Sequence, residues 1–123
     1  MGNNNKKFNV LVRRSDFLHL KTKGRRVSPT NWMTLNFNNN EFDNLRCGWT
    51  VPRQVGSAVV RNKLKRWCRD YFRSLIKTET ESVAFDINIV IRPAKTAEFF
   101  KGMDRTEFFK ALDLGWKGIR KKR

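Results

Sequence analysis

Apolar residues recur along this chain with two different periods, and each change of period marks an element. In Arg61 to Lys77, RNKLKRWCRDYFRSLIK, the spacing is helical. Leu64, Trp67, Cys68, Tyr71, Phe72 and Leu75 share one side. Arg61, Lys65, Arg69 and Arg73 form a stripe on the other, flanked by Lys63, Arg66 and Lys77. The pattern predicts a helix docked on a core by its aromatic side. From Trp32 to Phe37 the period is two: Met33, Leu35 and Phe37 alternate with Trp32, Thr34 and Asn36, which predicts a strand with one apolar face. Asn38-Asn39-Asn40 reads as a turn. Leu45 to Val51 repeats the alternation, with Leu45, Cys47, Trp49 and Val51 against Arg46, Gly48 and Thr50, and Pro52 ends it. Val83 to Ile91, VAFDINIVI, is a further strand. Its second half is apolar on both faces, as a covered interior strand requires.

The ends of the helices are marked by capping chemistry. Ser15 is expected to cap a short helix through Asp16, Phe17, Leu18 and Leu20, with Gly24 stopping it. Asp104, with Glu107 three residues on, predicts the start of a last helix. Its apolar stripe is Phe108, Phe109, Leu112, Trp116 and Ile119, and Gly115 and Gly118 are expected to weaken it. Gln54 to Ser57 reads as a loop. The order is α-β-β-α-β-α with a further short strand near Val27, which makes an α+β single domain over residues 1–123 around one mixed sheet. Residues 1–9 and 119–123 are expected to be flexible ends.

Charge changes this picture. There are 27 Lys and Arg residues against 11 Asp and Glu, a net charge of +16. Such an excess opposes compaction by self-repulsion and suits a nucleic-acid partner, whose phosphates it neutralises. Solvated helix faces usually mix signs. Here Asp70 is the one acid within Arg61–Lys77, and it is expected to meet only Arg66 or Arg73. Three of the four stripe residues are Arg, whose planar fork suits phosphate oxygens. A membrane partner is the weaker reading: no apolar run has the length of a span and no signal segment follows Met1. Cys47 and Cys68 lack metal-site spacing and are expected as buried thiols in a reducing cytoplasm.

Candidate catalytic groups are sparse. His19 is the one histidine, and beside Leu18 and Leu20 it reads as a plain surface residue. Asp16, Asp43, Asp70, Asp86, Glu98 and Asp104 are scattered, whereas a two-metal phosphodiesterase needs clustered carboxylates. There is no Gly-rich phosphate loop and no nucleophile elbow. The chain reads as a binder. Phe17 stands among Arg13, Arg14, Lys21, Lys23, Arg25 and Arg26, a combination suited to base stacking with phosphate contact. A hydrophobic anchor for the first helix is the alternative.

The motif RNxxKRxxR, present as Arg61-Asn62-Lys63-Leu64-Lys65-Arg66-Trp67-Cys68-Arg69, resembles that of the protein components of bacterial ribonuclease P. The approach Gly48-Trp49-Thr50-Val51-Pro52-Arg53 and Gly56-Ser57-Ala58-Val59-Val60 is similar too. So are Arg13-Arg14-Ser15-Asp16-Phe17 with Gly24, and Ile89-Val90-Ile91-Arg92-Pro93. The resemblance runs from about Val10 to Leu114. It implies four strands and three helices, α-β-β-β-α-β-α, in a four-stranded mixed sheet with a left-handed βαβ crossover, against the general right-handed rule. It implies a cytoplasmic ribonucleoprotein endonuclease that removes the 5′ leader of precursor tRNA. In that assembly the catalytic RNA subunit, with Mg²⁺, performs the cleavage, one protein serves each RNA, and the protein supplies no catalytic residue. By the same resemblance Arg61, Asn62, Lys63, Lys65, Arg66, Arg69 and Arg73 would meet the catalytic RNA. Phe17, Arg13, Arg14, Lys21, Trp32, Thr34 and Arg53 would line a leader cleft between the first helix and the sheet. Which strand face lines that cleft, and which residues would bind metal, are left open. Lys63, Lys21 and Pro52 depart from the residues common in the family. Two other functions compete: a ribosomal or other structural RNA-binding protein without a catalytic partner, and a DNA-binding module. For the latter, only Asn62 along the helix is a base-reading side chain.

Overall fold

The computed structural model describes residues 8–42, 44–79, 84–94, 96 and 98–122. The elements run β1 (Asn9–Val10), α1 (Arg14–Lys23), β2 (Arg25–Thr30), β3 (Met33–Asn39), β4 (Arg46–Thr50), α2 (Ala58–Thr78), β5 (Phe85–Ile91), α3 (Glu98–Lys101) and α4 (Arg105–Lys121). They form an α+β domain around one mixed sheet in the order β1-β4-β5-β3-β2. The β5 strand lies antiparallel to β3 and parallel to β4, and β1 adds parallel to the outer side of β4. The sheet thus has five strands, not four, because a two-residue edge pairs Asn9 with Arg46 and Val10 with Cys47. The short α3 is a fourth helix. Neither is long enough to show a period in sequence. Val83, placed in the last strand by its pattern, lies outside the described residues.

The alternation along each strand decides which face is covered. Met33, Leu35 and Phe37 of β3, Cys47 of β4, and Phe85, Ile87, Ile89 and Ile91 of β5 are buried on one side. Two helices close over them: α2 with Leu64, Trp67, Cys68, Tyr71, Phe72 and Leu75, and α4 with Phe108, Leu112, Trp116 and Ile119. The helices are joined by Trp67 against Phe108, with ring centroids 5.5 Å apart, and by Tyr71 Oη donating to Asp113 Oδ1 at 2.8 Å. Burial, with Asp113 beside it, raises the Tyr71 hydroxyl well above its ordinary range. Cys47 and Cys68 are buried free thiols, both pushed up chiefly by burial.

The caps differ from expectation in two places. Arg13 precedes α1 without any side-chain cap, and Ser15 lies inside the helix. Ser57, read as loop, is the N-cap of α2: its Oγ accepts from Val60 N at 3.3 Å, so the helix starts at Ala58. Asp104 caps α4 as expected, accepting from Glu107 N at 2.8 Å. Gly115 and Gly118 seat α4 on the sheet. A Cβ at Gly115 would stand 3.0 Å from Leu35, and one at Gly118 would stand 3.1 Å from Val27. Of the ends expected to be flexible, residues 1–7 and 123 lie outside the described residues. Ile119 is fully buried and α4 continues to Lys121, while Phe8 packs 5.9 Å from Phe72 and Asn9 pairs in β1. Asn38 and Asn39 extend β3 and are not part of a turn. Among the described residues no helix is long and apolar enough to cross a membrane.

Candidate nucleic-acid interface

The other face of the sheet is polar, and α1 crosses it. Strand register aligns Arg26, Asn36, Asn88 and Gly48 in one transverse row, with Thr34, Val90 and Thr50 in the row beyond. The ring of Phe17 rests on Gly48. A Cβ there would stand 2.5 Å from Phe17 Cε1, so the missing side chain makes the seat. Arg46 holds the first turn of α1 to the sheet. It donates Nε and Nη2 to Asp86 at 2.7 and 2.6 Å and stands 3.6 Å from Asp16. The Asp86 bonds hold the Arg46 proton more tightly than usual. Farther along, Arg26 Nη2 donates to Lys21 O at 3.0 Å.

Between α1 and this face opens a cleft of about 680 Å³. Arg14, Lys21, Arg26 and Arg92 stand round it. Thr34, Asn36, Thr50 and Asn88 form a neutral polar floor, and Phe17 and Leu18 supply its apolar wall. None of the described residues that line it is acidic. Asn88 Nδ2 donates to Thr50 Oγ1 at 3.1 Å, and the Ser28 and Thr34 hydroxyls are 3.0 Å apart. Asn36 Oδ1 is buried there with no partner. A cationic rim over neutral floor groups suits an extended polyanion whose bases turn inward.

Of the cleft residues expected from sequence, Phe17, Arg14, Lys21 and Thr34 come together. Arg13 stands exposed just before α1, outside the lining. Trp32 and Arg53 also lie outside it. Trp32 is buried on the opposite face, its ring centroid 5.8 to 6.0 Å from those of Phe99, Phe100 and Phe108. It belongs to the turn between β2 and β3, where the pleat that sorts strand residues no longer applies. Arg53 is exposed in a 3₁₀ turn beyond β4 and does not line the cleft. Arg26, one of the basic residues noted around Phe17, joins the lining, and Asn36, Thr50, Asn88 and Arg92 line it without having been singled out for it in the sequence. Asn36 shares the parity of Thr34 on β3, so it was recoverable once that face was assigned.

On α2, Asn62, Arg66 and Arg73 are exposed and Lys65 is half-exposed. Arg61 Nε donates to Gly56 O at 3.2 Å, and the Arg69 guanidinium lies 5.2 Å from the Trp49 ring centroid. Asp70 is 3.9 Å from Arg73 and also 3.9 Å from Arg105 on α4, a partner outside its own helix. Lys63 turns aside from this cationic stripe. Its Nζ lies over the Trp67 ring and donates to Phe100 O at 2.9 Å and Lys101 O at 3.3 Å. Among the described residues, no three His, Cys, Asp or Glu side chains converge into a set that could hold a metal ion.

Known proteins share this architecture. The profile of the Ribonuclease P family matches residues 6–119. The chain is similar to the ribonuclease P protein component of Desulforapulum autotrophicum, 42% identical over 82 residues, which are 67% of this chain and 68% of that one. Its fold is similar to the Staphylococcus aureus RNase P protein structure, with TM-score 0.74 and 27% identity over 90% of this chain and 94% of that one. The RNase P protein of Thermotoga maritima superposes with TM-score 0.70 and 33% identity over 85% and 91%.

Proposed function

The chain belongs to the ribonuclease P protein family, and on that premise we propose that it holds the 5′ leader of precursor tRNA in the α1–sheet cleft while α2 grips the catalytic RNA subunit. Family membership makes it a component of a ribonucleoprotein nuclease with an RNA partner. The observation that carries the finer reading is the cleft, whose rim is cationic, whose floor is neutral and which no described acid lines. Arg14, Lys21, Arg26 and Arg92 are spread along it to meet successive phosphates. Phe17, seated on Gly48 and half-buried, offers a face for one base. On α2, Lys65, Arg66, Arg69 and Arg73 form the second contact, with the guanidinium forks suited to phosphate oxygens. Chemistry belongs to the RNA in this reading, with Mg²⁺ held there. The protein's contribution is to position and retain substrate.

Reconstitution tests it. Added to a bacterial ribonuclease P RNA at low Mg²⁺, the chain should restore cleavage of precursor tRNA and tighten binding of precursor over mature tRNA. Restored binding without any preference for the precursor would leave the α2 contact standing and remove the leader role from the cleft.

A further inference from the structure

Resting on the leader reading, we infer a second station for single-stranded RNA next to the cleft: the pocket of Asn31, Trp32, Pro93, Ala94, Thr96 and Phe99 takes one further leader base. Position is the first argument. Arg92 lines the cleft and the next residue, Pro93, lines this pocket. Arg92 N donates to Trp32 O at 2.9 Å, so the paired ends of β3 and β5 form the sill between the two cavities. A strand lying over Thr34, Val90 and Thr50 reaches this sill at the sheet's end.

Chemistry is the second argument. Phe99 is held by Trp32 at 6.0 Å and edge-on by Phe100 at 5.0 Å, yet it keeps 37% of its surface exposed. A large ring fixed in place and still open to water is what base stacking uses. The Asn31 amide and Thr96 hydroxyl carry no hydrogen bond within the described chain, so both are available to a base edge. Glu98, the acid beside Phe99, is engaged by Lys101 at 3.9 Å. Arg92 stands at the sill to meet the intervening phosphate. At about 290 Å³ the pocket is at the small end for a ligand site, which suits one base and not several.

The test uses holoenzyme reconstituted with the full chain and precursor tRNAs whose leaders are trimmed one nucleotide at a time. With wild-type protein, affinity should rise with leader length in two stages. Phe99→Leu keeps apolar bulk against Trp32 and removes the stacking face. It should abolish only the later stage, a loss of roughly tenfold for long leaders, and leave short leaders and the melting temperature unchanged. Phe99→Leu and Phe99→Ala both binding every leader as wild type does would overturn the second station. So would a uniform loss at all lengths with a lowered melt, which would make Phe99 a packing residue. Failure of the leader reading itself is seen separately, as wild-type affinity that ignores the leader altogether.

Discussion

At the scale of single residues, Phe17 and Gly48 act as one device. The ring is both a wall of the cleft and a peg holding α1 to the sheet. Half-burial limits the stability cost of Phe17→Ala to less than the ~3–5 kcal/mol of a fully buried phenylalanine. Its affinity for precursor tRNA should fall by about 1–3 kcal/mol with mature tRNA barely affected. Gly48→Ala should mimic this from below by tilting the ring off its seat, at about 1 kcal/mol of stability. If the two act through one contact, the double variant binds precursor no worse than Phe17→Ala alone; additive losses would separate them. The thiols supply a pH signature. Cys47 and Cys68 keep their protons in the fold because burial raises both. The unfolded chain releases them from about pH 8.5 upward. Stability contributed by the neutral thiols is therefore full below that pH and falls above it, by up to about 1.4 kcal/mol per pH unit for each thiol. Urea midpoints from neutral to alkaline pH should decline more steeply for wild type than for a variant with alanine at both positions.

At the scale of elements, the basic residues of α2 differ in what holds them. Arg66 is exposed and makes no hydrogen bond or ion pair within the described chain, whereas Lys63 ties the helix to the carbonyl end of α3. Arg66→Ala should reduce the log–log salt slope of RNA binding by about 1 while changing stability by less than about 0.5 kcal/mol. Lys63→Ala should do the reverse, lowering stability by about 1 kcal/mol through lost hydrogen bonds with the slope nearly kept. An equal slope change in both would mean Lys63 leaves α3 when RNA arrives. The sequence showed this helix and strands β3, β4 and β5 because each repeats its period several times. What it hid is short or set by distant contacts. β1 and α3 are too brief for periodicity. Trp32 continued the alternation of β3 by one residue but sits in a turn. Lys63 is diverted by carbonyls some 37 residues away in the chain, a partner no local pattern reveals. The cleft floor stayed hidden for a related reason: Asn88 is a polar residue in an apolar run, and only pairing with Asn36 and Gly48 shows what it faces.

At the scale of the whole molecule, a charge of +16 on 123 residues makes folding sensitive to anions. Anions that bind the folded form should stabilise the isolated protein, by about 2.7 kcal/mol at 100 times their dissociation constant. The melting temperature should rise in sulfate relative to chloride at matched ionic strength, and indifference to the anion would count against specific anion sites on the fold. The strand order adds a constraint in time. The β5 strand lies between β4 and β3 but is the last strand to be synthesised. A ribosome making this chain first delivers the β2–β3 hairpin and β4 with nothing to join them. It then delivers all of α2, with its cationic face complete, and only afterwards the residues that close the sheet. Until Ile91 has left the exit tunnel, the nascent polypeptide carries its most basic helix on a sheet that lacks its central strand, beside the RNA of the ribosome itself.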